Sequence, residues 1–192
     1  MRLQSPLRHP RSFTTSDTNE NLLAGIRALA PEITTRAAEI EAARRIPADL
    51  LDRLRSIGMF RMFVPRSHGG LELTLPEGLE VISALARLDG SLGWTAMVAC
   101  AGGLFTTLTL RETYDRIYQN GPDAAICGSS QPAGTAEPAG NGFRVSGRWP
   151  FASGCRHADW LMGGCVVEGG MRLMLAPADQ FTIHDTWHVM GL

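Results

Sequence analysis

No lysine occurs among the 192 residues; all 18 basic side chains are arginine. That absence excludes Schiff-base and pyridoxal enzymes and P-loop nucleotide binding, each of which needs an ammonium group at a fixed place. Nineteen acidic residues bring the formal charge to −1, which argues against a nucleic-acid protein with a basic face. Cysteine is sparse: Cys100, Cys127, Cys155 and Cys165 show no CxxC spacing. No secretory signal opens the chain, so a reducing, cytoplasmic setting without disulfides is expected. No nucleophile elbow with a Ser/His/Asp order is visible, which disfavours hydrolase chemistry. His184 and His188 fall in a strand-like run, where residues four apart lie about 13 Å from each other. No metal site is expected.

Charge is missing altogether between Asp89 and Arg111, a stretch long enough to cross a bilayer. Its glycines and the threonines between positions 106 and 109 dilute the hydrophobicity, and the sequence favours a helix buried inside a larger helical unit over a membrane span. The segments before it are helical in pattern. Asp17 and Glu20 have capping-box spacing ahead of Leu22, Ile26, Ala30, Ile33, Ala37 and Ile40, with Pro31 expected to kink or split the run. Pro47 begins a helix striped by Leu50, Leu51, Leu54 and Ile57 and stopped by Gly58. Thr74 and Glu77 repeat the capping-box spacing, and Leu79, Ile82, Leu85 and Ala86 are expected to share the buried side of the helix behind them. A short amphipathic piece, Arg111 to Gln119, closes at Asn120-Gly121.

Past Gly121 the pattern changes to strands. Ala124 to Ser130 is strand-like, residues 132–142 are rich in Gly, Pro and Ala, and Phe143 to Gly147 alternates. Trp160 to Val167 and Met171 to Leu175 flank the hairpin signal Glu168-Gly169-Gly170, and Phe181 to Val189 is a further candidate. At least five short strands therefore follow a helical block, an α+β arrangement. The boundaries expected are a disordered leader over residues 1–16, a helical domain over 17–121 and a sheet domain over 122–192. Since strands with two apolar faces need cover on both, and no helix follows to supply it, the sequence reads as part of something longer.

Val145 to Trp160 is the most distinctive stretch. It reads as a strand reaching Arg148, a bend at Pro150, and a rim of Ala152, Ser153 and Gly154 beside aromatic rings. Such a rim suits a broad, flat, heteroatom-rich ligand, whose edge the amides and hydroxyl can reach because no bulky side chain intervenes. The plainer reading is a strand connection whose tryptophans pack the core.

Several motifs in fixed order give this chain a family likeness. They are Ile57-Gly58-Met59-Phe60 with Val64-Pro65 and Gly69-Gly70, then Asp89-Gly90-Ser91-Leu92-Gly93-Trp94 and Gly128-Ser129-Ser130 through Gly134. Ser146-Gly147-Arg148-Trp149-Pro150-Phe151-Ala152-Ser153-Gly154 and Trp187-His188-Val189-Met190-Gly191-Leu192 follow. Over roughly residues 18–192 the chain resembles the acyl-CoA dehydrogenase superfamily, and within it the oxygenase components of two-component flavin-dependent monooxygenases. Ser130-Gln131-Pro132 and Arg148-Trp149-Pro150-Phe151-Ala152-Ser153 stand where the dehydrogenase branch tends to have Thr-Glu-Pro and Lys-x-Trp-Ile-Thr, and Trp94 stands where the oxygenases tend to have tryptophan.

The resemblance implies an N-terminal helical domain, a middle β-barrel of which this chain has the first part, and a C-terminal helical domain that is missing. It implies FAD or FMN, delivered reduced by a separate flavin reductase, and a homo-oligomer, a tetramer at full length. A flavin C4a-hydroperoxide would hydroxylate an aromatic or heterocyclic small molecule. It places Trp94, Ser129, Ser130, Gln131, Phe151, Ala152 and Ser153 by the flavin, with Ser153 the catalytic hydroxyl near N5. Whether Ala152 or Ser153 matches that position stays open, and Arg148 could pair with a phosphate or acid. The acid/base histidine is expected beyond Leu192, so the chain alone is expected to be inactive and to bind flavin weakly. The rival enzyme is an FAD-dependent acyl-CoA dehydrogenase, whose carboxylate base is not identifiable; a non-enzymatic oligomer-contact fragment is the third reading.

Overall fold

The structure, a computed structural model, describes residues 15–188. Six helices precede a four-stranded sheet among the described residues: α1 (Thr15–Thr35), α2 (Ala37–Ala43), α3 (Ala48–Ser56), α4 (Leu75–Ala86), α5 (Gly90–Thr106) and α6 (Arg111–Ile117), then β1 (Ile126–Ala139), β2 (Gly142–Gly147), β3 (Trp160–Val167) and β4 (Gly170–Pro177). The α+β class holds. The leader expected over residues 1–16 lies outside the described residues except for its last two, which are already helical.

Local signals set several helix ends. Gly58 stops α3 with a left-handed φ of 93°, a conformation that costs glycine nothing. Glu77 takes hydrogen bonds from both the amide and the hydroxyl of Thr74, at 2.7 and 2.6 Å, closing the box ahead of α4. Asp89 caps α5 by accepting from the Leu92 amide at 2.8 Å. Leu50 and Leu54 are fully buried, each contributing about 1.5–3 kcal/mol by leaving water.

Three helix expectations are corrected. Helix α1 starts at Thr15, so Asp17 lies inside it and not at its cap. Pro31 does not split the run; the break comes at Arg36, where α2 takes over. The buried face of α4 is Gly78, Val81 and Leu85, while Leu79 is half exposed. One position of rotation separates the two faces, and Gly78 decides between them: a Cβ there would collide with the Phe63 ring, so this position must face the close pass of that ring. The uncharged segment is α5, buried along Leu92, Ala96, Ala99 and Cys100. No described helix is long and apolar enough to cross a membrane.

The strand order is β2-β1-β3-β4. β1 pairs antiparallel with β2 and parallel with β3, and β3 pairs antiparallel with β4. A parallel neighbour demands a crossover; here residues 148–159 carry the chain from the end of β2 to the start of β3. β1 continues through Pro132 and Gly134, which the composition marks as a break. Register shifts between Ser129, Pro132 and Gly134 absorb the imide that cannot donate, as strand prolines require. Residues 181–188 form no strand, and Val189 lies outside the described residues. Among the described residues four strands stand where at least five were expected. The segment runs instead as an extended strap, held by side chains.

Helix α5 is the bridge between helices and sheet. A Cβ on Gly102 would run into the Ile126 carbonyl at the start of β1, so helix and strand meet backbone to backbone.

Candidate functional site

The crossover is built on glycine. The Trp149 indole rests where β-carbons at Gly134, Gly147 and Gly163 would stand, two of them 2.9 and 2.6 Å from ring atoms and the third closer still. These glycines come from three adjacent strands, β1, β2 and β3. Trp149 Nε1 donates to the Gly164 carbonyl at 2.7 Å, and Phe181 meets the ring edge-on at 6.0 Å. Trp149 thus packs on the sheet with its N–H engaged, and its half-buried ring also borders the cleft described below.

Beyond Trp149 the chain bends sharply. Phe151 has φ +56° and Gly154 φ +76°; a bulky non-glycine residue in the left-handed region is strained and marks a constrained turn. The Ser153 amide donates to the Phe151 carbonyl at 2.9 Å, and Cys155 donates to Ala152 at 3.1 Å. The Ser153 amide is therefore engaged within the bend, whereas its half-buried hydroxyl makes no hydrogen bond to another described residue. Further on, Asp159 exchanges backbone and side-chain bonds with Ala125 at 2.9 and 2.8 Å.

His157 pins this loop to the helical half. Its Nε2 accepts from the Ile46 amide at 3.2 Å, which requires an unprotonated nitrogen. Burial first, then the neighbouring Arg45 and Arg156, push its pKa down to about 4. The cysteines here are inert: burial pushes Cys127 up to about 12 and Cys100 higher still, and all four are free thiols. Among the described residues no group of three or more ligating side chains could hold a metal.

A cleft of about 1550 Å³ opens between the crossover, the strap and the first turns of α5. Trp94, Phe151, Ala152 and Ser153 all line it. The helix and the bend pass close to each other, since a Cβ added to Gly154 would lie 3.8 Å from Thr95 Cγ2. Trp94, beside Thr95 in the helix, is 50% exposed and Phe151 67%. Both rings are thus open to a ligand. Ser129, Ser130 and Gln131 are not part of the lining; β1 contributes Gly128. Ser129 is buried with its hydroxyl accepting from the Gln131 amide at 3.4 Å, and the other two are exposed elsewhere. The register of β1 against β3 shifts at this point, between Ser129 and Pro132, as at a bulge.

The residues unforeseen from sequence belong to the strap. Arg44 ends α2 in a left-handed conformation with φ 50°. Its guanidinium spans both oxygens of Asp185, at 2.8 and 2.7 Å, and also reaches the Trp187 carbonyl. Arg156 adds a bridge to Asp185 at 3.1 Å. Trp187 then meets Phe151 edge-on at 6.2 Å. No sequence signal links positions so far apart.

Comparison with known proteins places this geometry. Residues 16–113 match the family described as "Acyl-CoA dehydrogenase, N-terminal domain". The chain belongs to the acyl-CoA dehydrogenase family. Within it, the chain is 34% identical over 177 residues to the oxygenase component of FADH(2)-dependent resorcinol hydroxylase from Rhizobium sp. (strain MTP-10005), covering 89% of this chain and 43% of the relative. The crystal structure of the HsaA monooxygenase from M. tuberculosis superposes with TM-score 0.83 at 30% identity, over 89% of this chain and 48% of that one. XiaF from Streptomyces sp., solved in complex with FADH2 and glycerol, superposes with TM-score 0.85 at 26% identity, over 92% and 46%. The chain spans a little under half the length of these relatives.

Proposed function

We propose that this chain is the flavin-facing part of an oxygenase component that hydroxylates an aromatic or heterocyclic small molecule. The observation that carries the proposal is the shared cleft: the half-exposed Trp94 indole and Ser153 both line it, where Thr95 and Gly154 pass close to each other. The relatives named above, one FADH(2)-dependent and one solved with FADH2, support flavin as the ligand. The residues present fit such a ring. An open indole face, the small Ala152 and an unengaged hydroxyl offer stacking and an edge donor without obstruction.

Reduced FAD or FMN supplies the electrons that activate oxygen for insertion into the substrate. The chain's own share is positional. Trp94 covers one face of the ring, Ser153 directs its hydroxyl at the ring edge, and Phe151 with Trp187 shields that edge from water. A separate flavin reductase delivers the reduced cofactor, and the protein assembles with copies of itself. The relatives named above, a hydroxylase oxygenase component and a monooxygenase, favour this reading over a dehydrogenase.

The test is anaerobic titration of the chain with reduced FMN and reduced FAD, following tryptophan fluorescence. Saturable quenching that falls in Trp94→Phe supports the proposal. Absence of quenching, or bleaching of oxidised flavin by an acyl-CoA thioester, contradicts it.

A further inference from the structure

The charge of the cleft opposes that of the chain. Among the described residues four arginines line it, Arg44, Arg116, Arg148 and Arg156, against one carboxylate, Asp185, while the chain as a whole carries a formal −1. Asp185 is fully committed to Arg44 and Arg156, so it has no bond to spare for the other two arginines. Arg116 and Arg148 form no ion pair with any described residue.

Both are nonetheless anchored. The Arg116 guanidinium carbon stands 6.0 Å from the centre of the Trp160 ring, within cation–π range. Arg148 immediately precedes Trp149, whose indole is fixed on its glycine bed and to Gly164, so the root of its side chain cannot wander. Guanidinium groups are the preferred partners of phosphate and carboxylate oxygens. A cleft of one sign concentrates the opposite charge.

We propose that Arg116 and Arg148 make the cleft an anion-selective site, which takes ring-bearing ligands through a terminal phosphate or carboxylate. The site rests on the reading of the cleft as a ring-binding pocket. The anionic group has two sources, the phosphate of the flavin and an acid group on the substrate, and the experiment separates them.

The chain and its Arg116→Gln, Arg148→Gln and double variants are titrated with two matched pairs: FMN against riboflavin, and phenylacetate against phenylacetamide. All variants are first checked for an unchanged melting temperature, which the exposure of both arginines favours. The anionic member of at least one pair binds about tenfold tighter to the unmodified chain, the size expected of a charge-assisted hydrogen bond. Added salt and the double variant erase that gap. A gap in the FMN pair assigns the flavin phosphate, and a gap in the phenylacetate pair assigns a substrate acid. Equal binding within both pairs, a gap that survives the double variant, or no binding of any of the four overturns the proposal. Discrimination within the phenylacetate pair without any riboflavin or FMN binding upholds the anion site and rejects the flavin reading instead.

Discussion

Arg44 and Asp185, 141 positions apart in the chain, face each other through two parallel hydrogen bonds of 2.8 and 2.7 Å. The pair ties the end of α2 to the strap that carries Trp187. Asp185 is held below the usual carboxylate range, first by its hydrogen bonds to Arg44, so the bond persists across the neutral range.

Releasing this tie should free the strap without unfolding the core. Asp185→Asn and Arg44→Ala are expected to speed proteolytic cleavage within residues 181–188 and to raise the quenching of tryptophan fluorescence by acrylamide. The charge swap Arg44→Asp with Asp185→Arg should restore part of the protection. Identical cleavage rates in all variants would show that the strap is held by something else.

The glycine bed beneath Trp149 predicts a steric threshold. Gly163→Val should cost about 1–3 kcal/mol as the indole is forced off the sheet, read as a lower urea midpoint. Gly142→Ala meets nothing within 4 Å and should stay within about 0.5 kcal/mol of the parent. A Gly163→Val chain as stable as the parent would refute the packing.

How much of this was legible beforehand differs from element to element. β3 runs from Trp160 to Val167 as its apolar pattern predicts, and the Thr74–Glu77 box and Gly58 stop sit where their residue types put them. These are short-range signals, decided by neighbours in sequence. β1 was obscured because Pro132 and Gly134 read as breakers, and only the bulge opposite β3 makes them tolerable. Leu79 was misassigned because helical period alone leaves the face free to rotate, and the close pass of Phe63 over Gly78 settles it. The Trp94–bend cleft could be suspected from residue types. Its partner, the Arg44–Asp185 tie, joins two ordinary charges and has no local signature.

His157 sets a pH window. Its ordinary value is 6.5 and the folded value about 4, so protonation favours the unfolded chain. The stability it contributes is complete above about pH 6.5 and lost as pH falls toward 4. With part of the ring in contact with solvent, the loss should be on the order of 1–2 kcal/mol. His157→Gln, which can still accept from Ile46, should flatten the stability profile between pH 6.5 and 4.5. An unchanged slope in that variant would assign the loss to other groups.

Trp94 is exposed, so Trp94→Ala should leave the unfolding midpoint within about 0.5 kcal/mol. It should weaken reduced-flavin binding by about three- to tenfold, the worth of an aromatic stack. Ser153→Ala is expected to keep flavin affinity nearer the parent's, while removing the one unengaged hydroxyl of the bend. Equal affinity in Trp94→Ala and the parent would take the indole out of the site.

The four tryptophans allow the most direct test. The chain is labelled with 5-fluorotryptophan, each fluorine line is assigned by single Trp→Phe variants, and reduced FMN is added under nitrogen. The account predicts that the Trp94 line moves furthest while that of Trp149, lodged on its glycines, stays in place. A Trp94 line that does not move at saturating flavin, or a Trp149 line that moves more, would contradict it.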